Sequence, residues 1–575
     1  MHKRRLFGQS HWINGTTRCL EMFEEIEPFL QDETSQVCMN LQKCKYLAKI
    51  IKSRRTPQWP TPPTTDMPAK EVADALVDIY LRTIESVYRI LHIPSFRQDY
   101  EALWAADTAP DMAFLVQLKL IFSIGAAMYD DHFSLLPSAI RWVHEAQTWF
   151  SEPEFKTRLT ISFLQTNILL LLAREIVGVD GTLTWISAGS LFRTAVYMGL
   201  HRDPAYLPRR STFAAEMHRR IWNTILEITL QMSMESGGPP LLSMDDFDTN
   251  PPGNLDDDQI TIEDAVPKPP EEFTQMSIAL ALRRLFPVRL AIMRSLNSIG
   301  TQNTYDETLR LDSELRATYK SICRTLQASH SRSGGRPSKF QTHRLEYLVQ
   351  RYFLALHVPF FAPAMQETAY AFTRRVVLES CIKAWCALHP SSSMMGPSSS
   401  PAENQDLTRL VTCGFGLARA VSMLVSFLVS AELQAQLQED ESLGPVPLRR
   451  DLLTILDDAK TWSWKSIEAG EMNTKGYMLL CMTSAQIEGM VRGLPKEQFP
   501  GVLVKAAEDA TARSLSLLEE RAGGNESDSG IDFGELGGLV DSWPDMMGDW
   551  GFLVPDAHLD LDDFESMNWA YSGST

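Results

Sequence analysis

Apolar residues recur at three- and four-residue steps along most of this chain, and nowhere in a sustained two-residue alternation. That spacing lines one face of an α-helix and leaves no strand with which to build a sheet. Val72, Leu76, Ile79, Tyr80, Ile84, Val87 and Leu91 define such a face and predict a helix over 72–91. Asp78–Arg82 and Glu85–Arg89 fall four residues apart on its predicted wet side, where such pairs support a helix. Phe213, Met217, Ile221, Thr224, Ile225, Ile228 and Met232 repeat the pattern. Thr212 is the expected N-cap, and Gly237-Gly238-Pro239-Pro240 is the expected stop. The stretches 112–129, 159–177, 184–200, 340–357, 407–437 and 476–493 read the same way. The expected class is all-α, a multi-helix domain without an internal repeat.

Four segments interrupt the pattern. Thr56 to Pro68 holds five prolines, and Asn250 to Glu272 mixes prolines with an acidic run. Ser329 to Lys339 is rich in Ser, Gly and Arg, and Pro390 to Asn404 contains two Ser triplets. Such compositions predict unordered linkers, because they bury too little apolar surface.

Composition narrows the class further. A chain of 575 residues, 44% hydrophobic and 22% charged, has room for several cores and is neither collagenous nor wholly disordered. Eight cysteines are too few for a disulfide framework and predict a reducing, intracellular compartment. The charge-free run Leu159 to Ala173 has 15 residues, short of the roughly 20 that span a bilayer, so no membrane is expected.

Catalytic signatures break where they are tested. His201-Arg202-Asp203 starts like a kinase catalytic loop, but the required Asn is replaced by Pro208. His144-Glu145 starts like a zinc-protease helix, but Thr148 stands where the second His belongs. Asp245-Asp246-Phe247-Asp248 and Asp256-Asp257-Asp258 resemble the metal-binding aspartates of all-α isoprenoid enzymes, yet Thr249 and Ile260 occupy the positions where a further acid is needed. These acids are therefore expected to lie on a solvated connector. No Cys-x-x-Cys pair occurs, and Cys381 and Cys386, five apart, are expected to be buried thiols.

Charge is polarised along the chain. Lys and Arg total 54 against 72 Asp and Glu, for a net −18. Residues 525–575 hold twelve acids and no Lys or Arg, whereas residues 1–55 hold ten Lys and Arg against six acids. Opposite ends of such a chain suit different partners. The tail's acids are interleaved with bulky apolar groups, as a disordered activation segment requires. Trp543, Trp550, Phe552 and the patch Asp562, Asp563, Phe564 and Trp569 are its expected contact residues. Charge repulsion keeps them available to a coactivator groove.

One block is longer and more ordered than any of these signals. It runs Thr184-Trp-Ile-Ser-Ala-Gly-Ser-Leu-Phe-Arg-Thr-Ala-Val-Tyr-Met-Gly-Leu-His-Arg-Asp-Pro204, then Glu216-Met-His-Arg-Arg-Ile-Trp222, then Pro239-Pro-Leu-Leu-Ser-Met-Asp-Asp-Phe-Asp-Thr-Asn-Pro-Pro252. With Leu91-His92-Ile93-Pro94-Ser95-Phe96 upstream and His357-Val358-Pro359-Phe360-Phe361 downstream, it resembles the middle homology region of fungal transcription factors of the zinc binuclear cluster class. The resemblance covers about residues 70–370 and implies an all-α, regulatory and non-catalytic region. Its matching positions are Arg193, Gly199, Leu200, His201, Arg202, Asp203, Glu216, Arg219, Arg220 and Trp222. Arg219 and Arg220 are placed to pair with Asp203 or Glu216, and Gly199 to end a helix. The resemblance also implies a zinc module of six cysteines, but that motif is absent from this sequence, so no cofactor, metal ligand or catalytic residue is assigned. Phe7-Gly-Gln-Ser-His-Trp12 resembles sequence that follows the module. Either the module is lost by truncation or this regulator does not grip DNA through zinc. The basic head would then touch phosphate only without specificity.

The domains expected are a basic segment (1–55), a Pro-rich linker (56–69), the middle region (70–370), a C-terminal helical part (371–522) and the acidic tail (523–575). The expected function is a nuclear regulator, activating metabolic or biosynthetic genes of RNA polymerase II. Expected partners are coactivators, DNA held weakly or through a missing module or partner, and a second copy or related subunit. Two alternatives are a corepressor-like interaction protein without DNA contact and an all-α isoprenoid-type enzyme.

Overall fold

The computed structural model describes residues 8–32, 34–105, 111–152, 159–179, 183–298, 304–333, 335–390, 401–438 and 448–523. The expected activation residues from Trp543 to Trp569 lie outside them. The chain opens with α1 (Leu20–Gln31), α2 (Gln36–Arg55), α3 (Lys70–Arg82), α4 (Ile84–Tyr88) and α5 (Ile93–Ala105). It continues with α6 (Met112–Ala126), α7 (Leu136–Phe150), α8 (Ile161–Val177), α9 (Thr184–Tyr197) and α10 (Thr212–Ser236). Next come α11 (Ser277–Asn297), α12 (Tyr305–Ser333), α13 (Lys339–His357), α14 (Ala371–Leu388) and α15 (Pro401–Cys413). The last are α16 (Leu417–Gln438), α17 (Arg450–Glu468), α18 (Lys475–Val491) and α19 (Phe499–Gly523). No strand occurs among the described residues, so the all-α expectation holds.

Local chemistry sets the helix ends. Ser211, not Thr212, caps α10 by accepting from the Ala214 amide at 3.3 Å. Gly237, with φ +69°, ends α10 where the Gly-Gly-Pro-Pro run foretold. The predicted helix over 72–91 breaks at Thr83, whose hydroxyl donates to the Ile79 carbonyl at 2.5 Å. The stretch 407–437 also splits, at Gly414–Gly416, into α15 and α16. Gly416 has φ +95°, and the following Leu417 amide donates to Glu175 Oε1 at 3.1 Å.

A large apolar core runs from α3 through α18. A smaller one joins α1, α2, α18 and α19, and Phe427 from α16 belongs to it. α16 is long and apolar enough, by length and composition alone, to cross a membrane, which the test on residues 159–173 missed. Here 67% of its apolar window is buried, packed by α14, α17 and α18.

Two expected linkers are ordered and fixed. In the Pro-rich stretch, the Thr61 amide donates to Thr148 Oγ1 at 3.0 Å, and the Thr64 hydroxyl to Glu145 Oε1 at 3.1 Å. Lys119 Nζ donates to the Thr64 carbonyl at 2.7 Å and to Glu145 Oε2 at 2.6 Å. Proline lowers the entropy lost on ordering, and the buried Lys–Glu pair supplies a fixed polar partner. The stretch from Asn250 to Glu272 is the second ordered linker, and it forms part of the site below. The third expected linker is helical up to Ser333, where α12 ends. Most of the fourth lies outside the described residues.

Candidate functional site

The family-like block builds a buried network of arginines and carboxylates. α9 ends in a Schellman turn: the Leu200 amide donates to the Ala195 carbonyl at 3.0 Å and the Gly199 amide to Val196 at 2.9 Å. Gly199 has φ +85°, which glycine adopts without strain. The turn delivers Asp203, which is fully buried. Arg219 grips its carboxylate with two bonds, Nε at 3.0 Å and Nη2 at 2.8 Å. The amides of Ala205 at 2.8 Å and Asn250 at 2.9 Å complete the set. Burial works to raise this carboxyl's pKa, but Arg219 and the two amides outweigh it and hold the group well below the usual carboxylate range.

Glu216 links the network to the connector. Its Oε1 accepts from Arg219 Nη1 at 2.7 Å, and its Oε2 from the Gly253 amide at 2.8 Å. Arg220 does not pair with Asp203 or Glu216, as the spacing had suggested. It turns to Asp257, at 2.6 Å. Arg89 reaches the same Asp257 oxygen at 2.5 Å, and the Ile93 amide donates to the other at 2.9 Å. Asp257 is only 3% exposed, so the expected solvated connector is a structural centre. The expected wet pair Glu85–Arg89 is likewise buried. Glu85 accepts from Tyr80 Oη at 2.7 Å and from the Leu91 amide at 2.9 Å, and burial pushes its carboxyl up to about 7 against the pull of Arg89. Arg82 binds Asp406 at 2.7 Å rather than Asp78.

The other motif residues have separate places. Trp222 is buried between Phe192 and Phe247, with ring centroids 5.4 and 5.6 Å away. Arg202 is exposed and pairs with Asp248 at 3.0 Å. The His201 carbonyl accepts from the Asp248 amide at 3.0 Å, and Asp248 in turn accepts from the Asp203 amide at 2.8 Å. Arg193 is exposed on α9 and joins none of these bonds. Sequence reasoning missed Glu85, Arg89, Asp257 and a second buried pair, Arg289–Glu227, at 2.5 and 2.7 Å. For Glu85, Glu227 and Arg289 the available signal was a charged residue inside a strongly apolar helical run; Asp257, in the connector, carried none.

This network fixes α9, α10, α4 and the 243–275 connector. A cavity of about 690 Å³ is lined by Ile140 and His144 of α7, Glu175 and Val177 of α8, Phe415 and Glu471. Glu175 is half-buried against this cavity, and burial raises its carboxyl despite Arg344 and the Leu417 amide. Among the described residues no group of three His, Cys, Asp or Glu side chains is placed to hold a metal. Cys381 is buried, Cys386 half-buried, and burial raises both thiols.

Comparison with known proteins adds identity. Residues 77–322 match the fungal specific transcription factor domain. The chain is 32% identical over 537 residues to transcription factor lepE of Aspergillus flavus, covering 90% of this chain and 63% of that protein. It is 33% identical over 536 residues to transcription factor opdR of Penicillium oxalicum, covering 86% and 66%. The aspyridones cluster regulator apdR of Emericella nidulans is 28% identical over 400 residues, covering 67% and 53%. This chain therefore spans less than two thirds of the length of these relatives. No solved structure matches it. The buried network is built from the block that carried the resemblance, it lies largely inside the matched span, and the chain carries the fungal specific transcription factor domain over residues 77–322 and is similar along most of its length to fungal transcription factors.

Proposed function

We propose that this protein is a nuclear regulator of RNA polymerase II transcription that activates the genes of a biosynthetic cluster. The match over residues 77–322 carries the reading, and a relative named as a cluster regulator points to the class of target. The middle region acts as a helical scaffold fixed by the Asp203–Arg219 and Asp257–Arg220 pairs. The acidic segment 525–575, with twelve acids and aromatic groups from Phe533 to Trp569, recruits coactivators. DNA is engaged through a further module or a partner subunit.

The test is a reporter assay with residues 525–575 fused to an unrelated DNA-binding domain. Activation is expected, together with its collapse in the Phe564→Ala, Trp569→Ala double variant. A silent intact segment would remove the activator reading and leave that of a corepressor-like interaction protein.

A further inference from the structure

Helix α2 carries Lys43, Lys45, Lys49, Lys52, Arg54 and Arg55 and no acid. No other helix described carries six cations without an anion. The first 524 residues bear a net −6, so this helix is a positive strip on a protein that is otherwise strongly acidic. Lys43, Lys49, Lys52 and Arg54 are exposed. Among the described residues Lys43, Lys49 and Lys52 pair with no carboxylate. The helix's outward stripe also sets Met39, 36% exposed, and the half-buried Tyr46 and Ile50 beside these lysines. Cations alternating with apolar groups are the complement of acids alternating with aromatics.

The chain's own acidic segment starts at the end of this strip. α2 and α19 run parallel: Asn40 Nδ2 donates to Thr511 Oγ1 at 3.3 Å, and Arg54 Nη1 to the Ala522 carbonyl at 2.6 Å. Residue 525 thus follows within three residues of the contact to Arg54. From Arg54 back to Lys43 the helix rises about 17 Å. Roughly five extended residues span that distance, so the sequence from Glu526 to Glu535, with its four acids, is long enough to cover it. Tethering so close gives an effective concentration on the order of millimolar.

We infer that the basic outward face of α2 is the docking site of this chain's own acidic segment, residues 525–575, and that docking withholds the segment from coactivators. The withholding rests on the activation reading above, whereas the docking rests on charge, reach and the exit point alone. Attraction between exposed charges weakens with salt, so the docked form opens as ionic strength rises.

The test uses the full chain. Zero-length carbodiimide crosslinking at low salt, read by mass spectrometry, is expected to join Lys43, Lys49 or Lys52 to carboxylates within 526–565, and to lose those links near 1 M salt. The K43E/K49E/K52E variant, with unchanged helical circular dichroism, is expected to lose them as well. Fused to an unrelated DNA-binding domain, that full-length variant is expected to activate a reporter about 3- to 10-fold more than the unsubstituted chain, the range opened by about 0.7 to 1.4 kcal/mol. Links from the segment only to other lysines would overturn the inference, as would equal reporter output where the isolated segment itself activates. So would protection of these lysines from acetylation by double-stranded DNA and not by the segment, which would make the face a phosphate-binding surface. Links between isotopically light and heavy copies would overturn the intramolecular form. If the isolated segment activates while the full-chain tests are null, only docking fails. If the isolated segment is silent, the activation reading fails and the crosslinks still decide docking.

Discussion

Replacing Asp257 by Asn tests whether the buried network holds the middle region together. The substitution keeps the side chain's shape and removes its charge. Two guanidinium groups lie at 2.5 and 2.6 Å from one oxygen of this carboxylate, and all three side chains are almost fully buried. Removing one partner of a buried pair costs about 3–5 kcal/mol, because the other charge is left without compensation. Here the loss leaves two like charges side by side. The expected cost is thus at the upper end, on the order of 4 kcal/mol, a large share of a typical folding free energy. Arg202→Ala is the matched control. Its pair with Asp248 is half exposed, and such a pair contributes at most about 1 kcal/mol. Urea unfolding of the full chain, followed by tryptophan fluorescence, measures both. The Ile93 amide should also lose hydrogen-exchange protection in the Asn variant, since it donates to Asp257. Adding Arg89→Met and Arg220→Met to Asp257→Asn should recover part of the loss, because the two guanidinium groups are then no longer stranded beside a neutral side chain. An Asp257→Asn cost no larger than that of Arg202→Ala would refute the reasoning.

Four further outcomes follow from individual sites. Burial holds His389 down to about 3, with its Nε2 2.9 Å from Ser422 Oγ, so the ring is neutral in the fold but takes a proton in the unfolded chain below about 6.5. Stability should therefore fall from pH 6.5 downwards, by up to about 1.4 kcal/mol per pH unit, and His389→Gln should flatten that slope in unfolding curves between pH 7 and 4.5. Glu85, raised to about 7 by burial, acts in the opposite sense over 4.5 to 7: its contribution is lost as pH rises, and Glu85→Gln should steepen the net gain with pH. At Gly416 a Cβ would stand 2.4 Å from Glu175 Oε1 on a backbone with φ +95°, so Gly416→Ala should cost at least about 1–2 kcal/mol in the same assay. At Gly8 a Cβ would stand 2.2 Å from the Gly237 carbonyl, so Gly8→Ala should release the N-terminal segment, seen as faster hydrogen exchange at Ser10 and Ile13 with little change in the main unfolding transition.

The sequence by itself determined what depends on near neighbours. Three- and four-residue apolar spacing specified helices because side chains that far apart share a face, and tertiary packing only placed them. Gly199 and Gly237 marked helix ends because a positive φ is a local demand that glycine meets without strain. Arg219 and Asp203, sixteen residues apart, were legible as partners because one turn and one helix separate them. Arg89 and Asp257 are 168 residues apart, and nothing local announces that pairing. Spacing put Glu85 and Arg89 on a wet face. Tertiary packing buried that face and made a carboxylate from an apparent linker its partner. The Pro-rich stretch before α3 is the same case: composition says it gains too little by ordering itself, and the Lys119–Glu145 pair supplies the missing gain from outside. Helical class and helix ends are short-range properties and are carried by the sequence. Which charges are buried, and which chain segments become fixed, depends on long-range partners that only the assembled fold brings within bonding distance.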